Sequence, residues 1–190
     1  MNLTPTSYTV LGMVAAGQRT GYEIARAIER STRFFWAASE GQIYPELRRL
    51  SENGYLRASQ EPRGERPRIV YSLTASGRLE LRQWLVGEGD LKLETRDEGL
   101  LKLFLGEDLT VAQARELLAR WRAPRERVRS VLATVEPTAR QRPGWFVAQR
   151  TGLVISGAMT AWIDRLAEAL DGADPDAPAL PLLAAAAEEI

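Results

Sequence analysis

The feature that most constrains this chain is a double change of hydrophobic period within its first 86 residues. Three short segments repeat apolar residues at helical spacing, two more alternate at strand spacing, and helical spacing then returns. In "TPTSYTVLGMVAAGQR" Thr4 is placed to cap, Pro5 takes the favoured first helical position and Gly17 closes the helix. "TGYEIARAIER" begins with Thr20 and Glu23 at capping-box spacing and buries Ile24 and Ile28. "SEGQIYPELRRLSENGYL" repeats the device with Ser39 and Gln42, buries Ile43, Leu47 and Leu50, and stops at Asn53 and Gly54. "YLRASQE" (55–61) and "RIVYSLT" (68–74) then have strand character. The turn between them holds Pro62, Gly64 and Pro67, with Arg63, Arg66 and Arg68 around it. Thr74 is placed to cap the following helix, "ASGRLELRQWLV".

Three short helices followed by a basic hairpin is the order of a winged helix-turn-helix. The remainder of the chain reads as wholly helical: 93–106, then 110–136 with Pro124 bending or splitting the pattern, then 143–170. Residues 171–181 read as a turn or loose tail, and the last residues as a short helix. The expected fold is therefore mainly α with a small β-hairpin wing. A winged helix-turn-helix occupies 1–86 and a helical dimerisation and possible effector domain occupies 87–190.

Charge divides along the same line. Residues 1–86 hold 12 arginines and 8 glutamates, a balance of +4, while residues 87–190 carry −4 and the whole chain sums to zero. Only the front part is thus suited to a polyanion. The cationic side chains are 23 Arg and 2 Lys, Lys92 and Lys102. Guanidinium forks match phosphate oxygens, but a GC-rich genome explains the bias better, since the acidic half shares it. The chain has no cysteine and no histidine, which removes disulfides, thiolate chemistry, the usual metal ligand and every Ser-His or Cys-His nucleophile. Asp97 and Glu98 are adjacent carboxylates, but helical neighbours diverge by about 100° and do not form a pair. No phosphate loop, metal-ligand cluster or nucleophile elbow is present. No enzyme activity, cofactor or metal is expected. The uncharged first 18 residues lack a basic leader region and are broken by polar residues, and the longest later uncharged run falls short of a membrane span, so a cytoplasmic protein is expected.

The 39–53 helix carries a proline inside its second turn. Stepping about 100° per residue from Ile43 puts Leu47 and Leu50 on the buried side. Gly41, Pro45, Arg48 and Glu52 then face outward, with Gln42, Tyr44 and Arg49 on the flanks. The outward apex of the first turns is a glycine and a compact proline, which suits a helix end that approaches the major groove closely. Tyr44 is placed to give its hydroxyl to a phosphate, Gln42 either to read a base edge or only to cap, and Arg48 and Arg49 to reach a base or a phosphate. The bland reading of this helix is amphipathic packing with a solvated basic face, and of the wing arginines a solvated hairpin tip.

The runs "LGMVAAGQRTGYEIARAIE", "GQIYPELRRLSENGYL" and "RIVYSLTASGRLELRQWL" resemble the N-terminal domain of the PadR family of bacterial transcriptional regulators. The patterns G-x-I-Y-P-x-L-x-x-L-x-x-x-G-Y-L and Y-x-L-T-x-x-G carry the resemblance over residues 8–85. The back half is similar, by pattern only, to the helical C-terminal domain of the branch related to the virulence activator AphA. The resemblance implies a homodimeric, repressor-like protein on a dyad-symmetric operator. It implies DNA contacts from Gln42, Tyr44, Pro45 and Arg48, with Tyr22 of the matching G-Y-E motif near the DNA backbone. It also implies a possible hydrophobic or aromatic effector, for which Trp84, Trp121 and Trp145 are candidates; their bland reading is core and interface anchoring. Leu153, Val154, Ala158, Ala161, Trp162 and Leu166 on the long C-terminal helix are the candidate dimer interface. The alternative function is a winged module that docks a protein partner and not DNA, because a fold does not fix a function.

Overall fold

The structure is a computed structural model, and it describes residues 2–32, 35–36, 39–62, 67–89, 91, 93 and 95–188. It divides into two compact units, Met1–Leu91 and Lys92–Ile190.

The first unit contains α1 (Pro5–Ala15), α2 (Gly21–Arg30), α3 (Glu40–Glu52), β1 (Leu56–Glu61), β2 (Arg68–Leu73) and α4 (Ala75–Leu85). Its helix starts follow from capping chemistry. The Thr4 hydroxyl accepts from the Ser7 amide, Thr20 from the Glu23 amide, and Thr74 from the Gly77 amide, each satisfying a donor that the first turn leaves unpaired. The strands pair antiparallel, with Leu56 opposite Leu73 and Glu61 opposite Arg68. Val10, Leu11, Ile24, Ile28, Leu47 and Val70 close the core, and α1 packs against α2, α3, α4 and β2.

The two sequence patterns of this unit meet at one joint. Gly54 has a φ of +74°, which lets the chain leave α3 and enter β1 without strain. The Thr74 hydroxyl donates to the Gly54 carbonyl at 2.7 Å. A Cβ on Gly77 would lie 2.1 Å from the Tyr55 carbonyl oxygen, so only glycine allows α4 to start against that backbone. The glycine of Y-x-L-T-x-x-G thus exists to receive the G-Y-L turn of the other motif.

The second unit contains α5 (Glu98–Phe104), α6 (Val111–Thr134), α7 (Glu136–Ala139), α8 (Pro143–Glu168) and α9 (Leu180–Ala187). Its centre is the pairing of α6 with α8, around Leu118, Trp121, Ile163, Leu166 and Leu170. Arg122 on α6 binds Asp164 on α8 at 2.5 Å, and Gln149 of α8 donates from the interior to the Leu132 carbonyl at 2.9 Å. The chain does not split at Pro124: α6 runs as one element through it. The segment that reads as a turn or loose tail forms turns and is pinned to the start of α6. The amides of Val111 and Ala112 donate to the carbonyls of Ala177 and Pro175, and the Ala179 amide donates to Leu109. Among the described residues no helix is long and apolar enough to cross a membrane.

Candidate nucleic-acid interface

The outward face of α3 is built as the helical stepping dictates. Ile43, Leu47 and Leu50 are buried, while Gly41, Gln42, Tyr44, Pro45, Arg48 and Glu52 are exposed. Pro45 lacks the N–H that would bond the Gly41 carbonyl, and its ring would crowd that carbonyl. Gly41 is unencumbered: a Cβ there would meet only the Ser39 hydroxyl, at 3.8 Å. The chain's own packing therefore does not require a glycine at 41, in contrast to 77.

Gln42 is committed in part to the helix start. Its Oε1 accepts from the Ser39 amide at 3.0 Å and from the Ser39 hydroxyl at 3.2 Å. Tyr44 lies across the start of α2, where a Cβ on Gly21 would fall 2.4 Å from its ring. Glycine at 21 thus seats the Tyr44 ring at the start of α2, and the next residue, Tyr22, is 65% exposed. Arg48 is exposed, and its charge acts on the buried Tyr71 phenol; burial pushes that phenol upward, Arg48 opposes the shift and Tyr44 adds to it. The Tyr71 amide donates to the Arg19 carbonyl at 2.7 Å, which ties the wing strand β2 to the connection between α1 and α2.

Arg49, expected to reach a base or a phosphate, is engaged within the chain. Its guanidinium turns to the flank, donating to Glu46 at 2.9 and 2.6 Å and to the Ser7 hydroxyl of α1 at 2.8 Å. Hydrogen bonding by Glu46 raises the Arg49 pKa further, so the fork serves as a clamp between α3 and α1. Arg68 stands at the base of the wing, paired with Glu61 at 2.9 Å. Arg19, which the sequence reading passed over, binds the same carboxylate at 2.5 Å. Arg63 and Arg66 lie outside the described residues. Every cationic side chain in residues 1–91 is a guanidinium.

In the second unit the proposed dimer residues separate. Val154, Ala158 and Ala161 are exposed, and Leu153 and Trp162 are partly buried, Trp162 against the core. Leu166 is a correction: it is 2% exposed, inside the core of its own unit, and has no surface to offer a second chain. Exposed Val147 and Ile155, absent from the expected set, extend the apolar stripe of α8. Trp121 takes the anchoring reading. It is 4% exposed, and its indole N–H donates at 2.7 Å to Asp97, the cap of α5. Burial alone would raise the Asp97 carboxyl, but the Leu100 amide, Trp121 and Arg125 hold it below the usual range. That indole is an anchor and leaves no face for an effector. Trp84 stacks on Tyr8 with centroids 4.5 Å apart and stays half exposed, and Trp145 lies under the Arg142 guanidinium at 4.9 Å.

Residues 10–83 match the model of the transcriptional regulator PadR-like family, and residues 95–171 match the virulence activator alpha C-terminal domain. The chain thus carries a PadR-like family domain followed by a virulence-activator-type C-terminal domain. A 111-residue segment, 58% of this PadR-like chain, is 32% identical to the negative transcriptional regulator PadR of Bacillus subtilis and spans 61% of that protein. A 79-residue segment is 37% identical to a probable transcriptional regulator of Mycobacterium tuberculosis and spans 42% of it. The chain thus aligns with less than two thirds of the length of these curated relatives. The crystal structure of B. subtilis PadR in complex with operator DNA matches with a TM-score of 0.76 at 25% identity, over 87% of this chain and 98% of that one. The same protein in complex with p-coumaric acid gives 0.70. The virulence activator AphA of Vibrio cholerae shares the fold, at a TM-score of 0.67 and 23% identity over 89% of this chain and 99% of its own.

Proposed function

We propose that this PadR-like chain is a cytoplasmic, dimeric transcriptional repressor that binds a dyad-symmetric operator through the 39–53 helix and the 61–68 wing. The observation that carries the reading is the outward face of α3, where a glycine free of internal contacts and a proline form a low apex between Tyr44 and Arg48. Close approach of a helix start to the major groove needs such an apex. Arg48 supplies a fork for a guanine edge or a phosphate, and Gln42, its Oε1 fixed by Ser39, keeps its amide donor for a base edge. Tyr22 and Tyr44 give hydroxyls to phosphates, and Arg68 with Arg63 and Arg66 follows the backbone at the wing. Dimerisation through the exposed stripe of α8 at Val154, Ala158 and Ala161 sets two such helices about 34 Å, or a multiple, apart. Repression is favoured by the likeness to a negative regulator, and relief by a small hydrophobic or aromatic effector by the p-coumaric acid complex of that relative. Trp84 and Trp145 remain its candidate contacts.

Fluorescence anisotropy with DNA from upstream of the chain's own gene, against a scrambled duplex and across a salt series, tests the proposal. Selective binding that weakens steeply with salt is the expected result. Equal weak binding to both duplexes sends the search to other operators by genome-wide capture of bound DNA, and a capture without enrichment ends the DNA reading.

A further inference from the structure

We propose that Arg19 and Arg68 form a phosphodiester-binding subsite at the base of the wing and that Glu61 holds it closed, lowering the affinity of the chain for DNA of any sequence. The inference rests on the DNA-binding reading above. Glu61 is the last residue of β1 and faces Arg68, the first of β2, across the antiparallel register. Arg19 reaches the same carboxylate from the connection between α1 and α2. One oxygen of Glu61 takes the Arg19 Nη2 at 2.5 Å and the other takes the Arg68 Nη2 at 2.9 Å. Two guanidiniums therefore converge on two oxygens of a single anionic centre, which is what the non-bridging oxygens of a phosphodiester present.

Two observations separate this cluster from a structural ion pair. The side chains are open to water, at 55% exposure for Arg19, 33% for Glu61 and 37% for Arg68, where such pairs contribute little to stability. The Arg49–Glu46 pair makes the contrast: its carboxylate is 12% exposed and its fork joins two helices. The cluster also continues the face of α3, from Tyr44 over Gly21 to the backbone of Arg19, whose carbonyl receives the amide of Tyr71. Hydrogen bonds from Arg68 and then Arg19 keep the Glu61 carboxyl below the usual carboxylate range, so the gating charge is present wherever the protein is folded near neutrality.

The two arginines with Glu61 carry one net positive charge; without the carboxylate's charge they carry two. An approaching phosphate must displace Glu61 from between them or meet its repulsion. The test uses the full chain, with anisotropy on operator and scrambled duplexes at several salt concentrations. Glu61→Gln keeps the size and removes the charge. It is expected to tighten binding to both duplexes by about 3- to 10-fold and to steepen the slope of log K against log salt by about one. Arg19→Ala is expected to weaken both and to flatten the slope by about one. Unchanged or weaker binding by Glu61→Gln overturns the gate, and unchanged binding by Arg19→Ala overturns the subsite, while wild-type selectivity leaves the DNA reading standing in both cases. A wild-type chain that binds no DNA overturns the reading and the subsite with it.

Discussion

The two helices proposed to meet partners, α3 and α8, carry opposite chemistry on their outer faces. Across α3 the exposed residues are small or polar, and the flanking charge that is not presented, Arg49, is absorbed by Glu46 and Ser7. Across α8 the exposed stripe is Val147, Val154, Ile155, Ala158 and Ala161. A polar face remains stable in water until a polyanion arrives. An apolar one loses about 25 cal/mol for each Å² left wet and gains that by self-association. The difference separates the two partners by their response to salt. Contact through α3 is expected to weaken as salt screens phosphate and lowers the free energy gained by counterion release, whereas contact through α8 is not.

Substitutions can break that comparison, beginning with the buried sides. Leu47 is fully enclosed beneath α3. Leu47→Ala is expected to destabilise the first unit by about 3 kcal/mol, read as a fall in Tm of roughly 10 °C or more. A fall of only a degree or two would mean that α3 is held by its caps and not by its core. Val154, 68% exposed, tests the outer face of α8. Val154→Asp is expected to raise the dimer dissociation constant roughly 30-fold or more while leaving Tm within a few degrees. Analytical ultracentrifugation measures the first quantity, and an unaltered dimer would remove α8 from the interface.

Smaller effects sharpen the contrast. Arg48→Ala should lower operator affinity about 10-fold and flatten the salt slope by about one, with the dimer intact. If the affinity holds, Arg48 is a solvated charge and nothing more. Gly41→Ala is the finest probe. A Cβ there meets nothing closer than 3.8 Å, so stability should rise by about 0.5–1 kcal/mol while operator binding weakens. Equal or tighter binding would show that the low apex of α3 does not approach DNA.

The inner and outer faces of α3 were legible because three leucine-type positions at helical spacing fix the buried direction, and every other position follows by rotation. The caps were legible because a hydroxyl and its amide lie three residues apart. The fate of Arg49 was not: its deciding partner, Ser7, lies 42 residues earlier in the chain. Arg19 and Glu61 are also 42 residues apart, and no local pattern joins them. Leu166 was misplaced for a different reason. Helix α8 is apolar around most of its circumference, so periodicity does not say which side faces α6. Which of the tryptophans is a core anchor was not legible, because the acceptor for the Trp121 indole, Asp97, sits on another element. Pro124 leaves α6 in one piece although it removes a helical donor, and Arg125 on the next position donates to the Trp121 carbonyl at 2.7 Å.

The guanidinium surface of the first unit has a chemical consequence. Residues 1–91 contain no lysine, histidine or cysteine. Acyl transfer to an amine, imidazole protonation near neutral pH and thiol oxidation therefore have no side chain to act on there. An arginine stays charged at any pH a cell reaches. The positive face beside α3 thus has no side-chain cation that titrates near neutral pH or accepts an acyl group, and its hold on DNA is to be altered by ions, by a bound molecule or by a second chain.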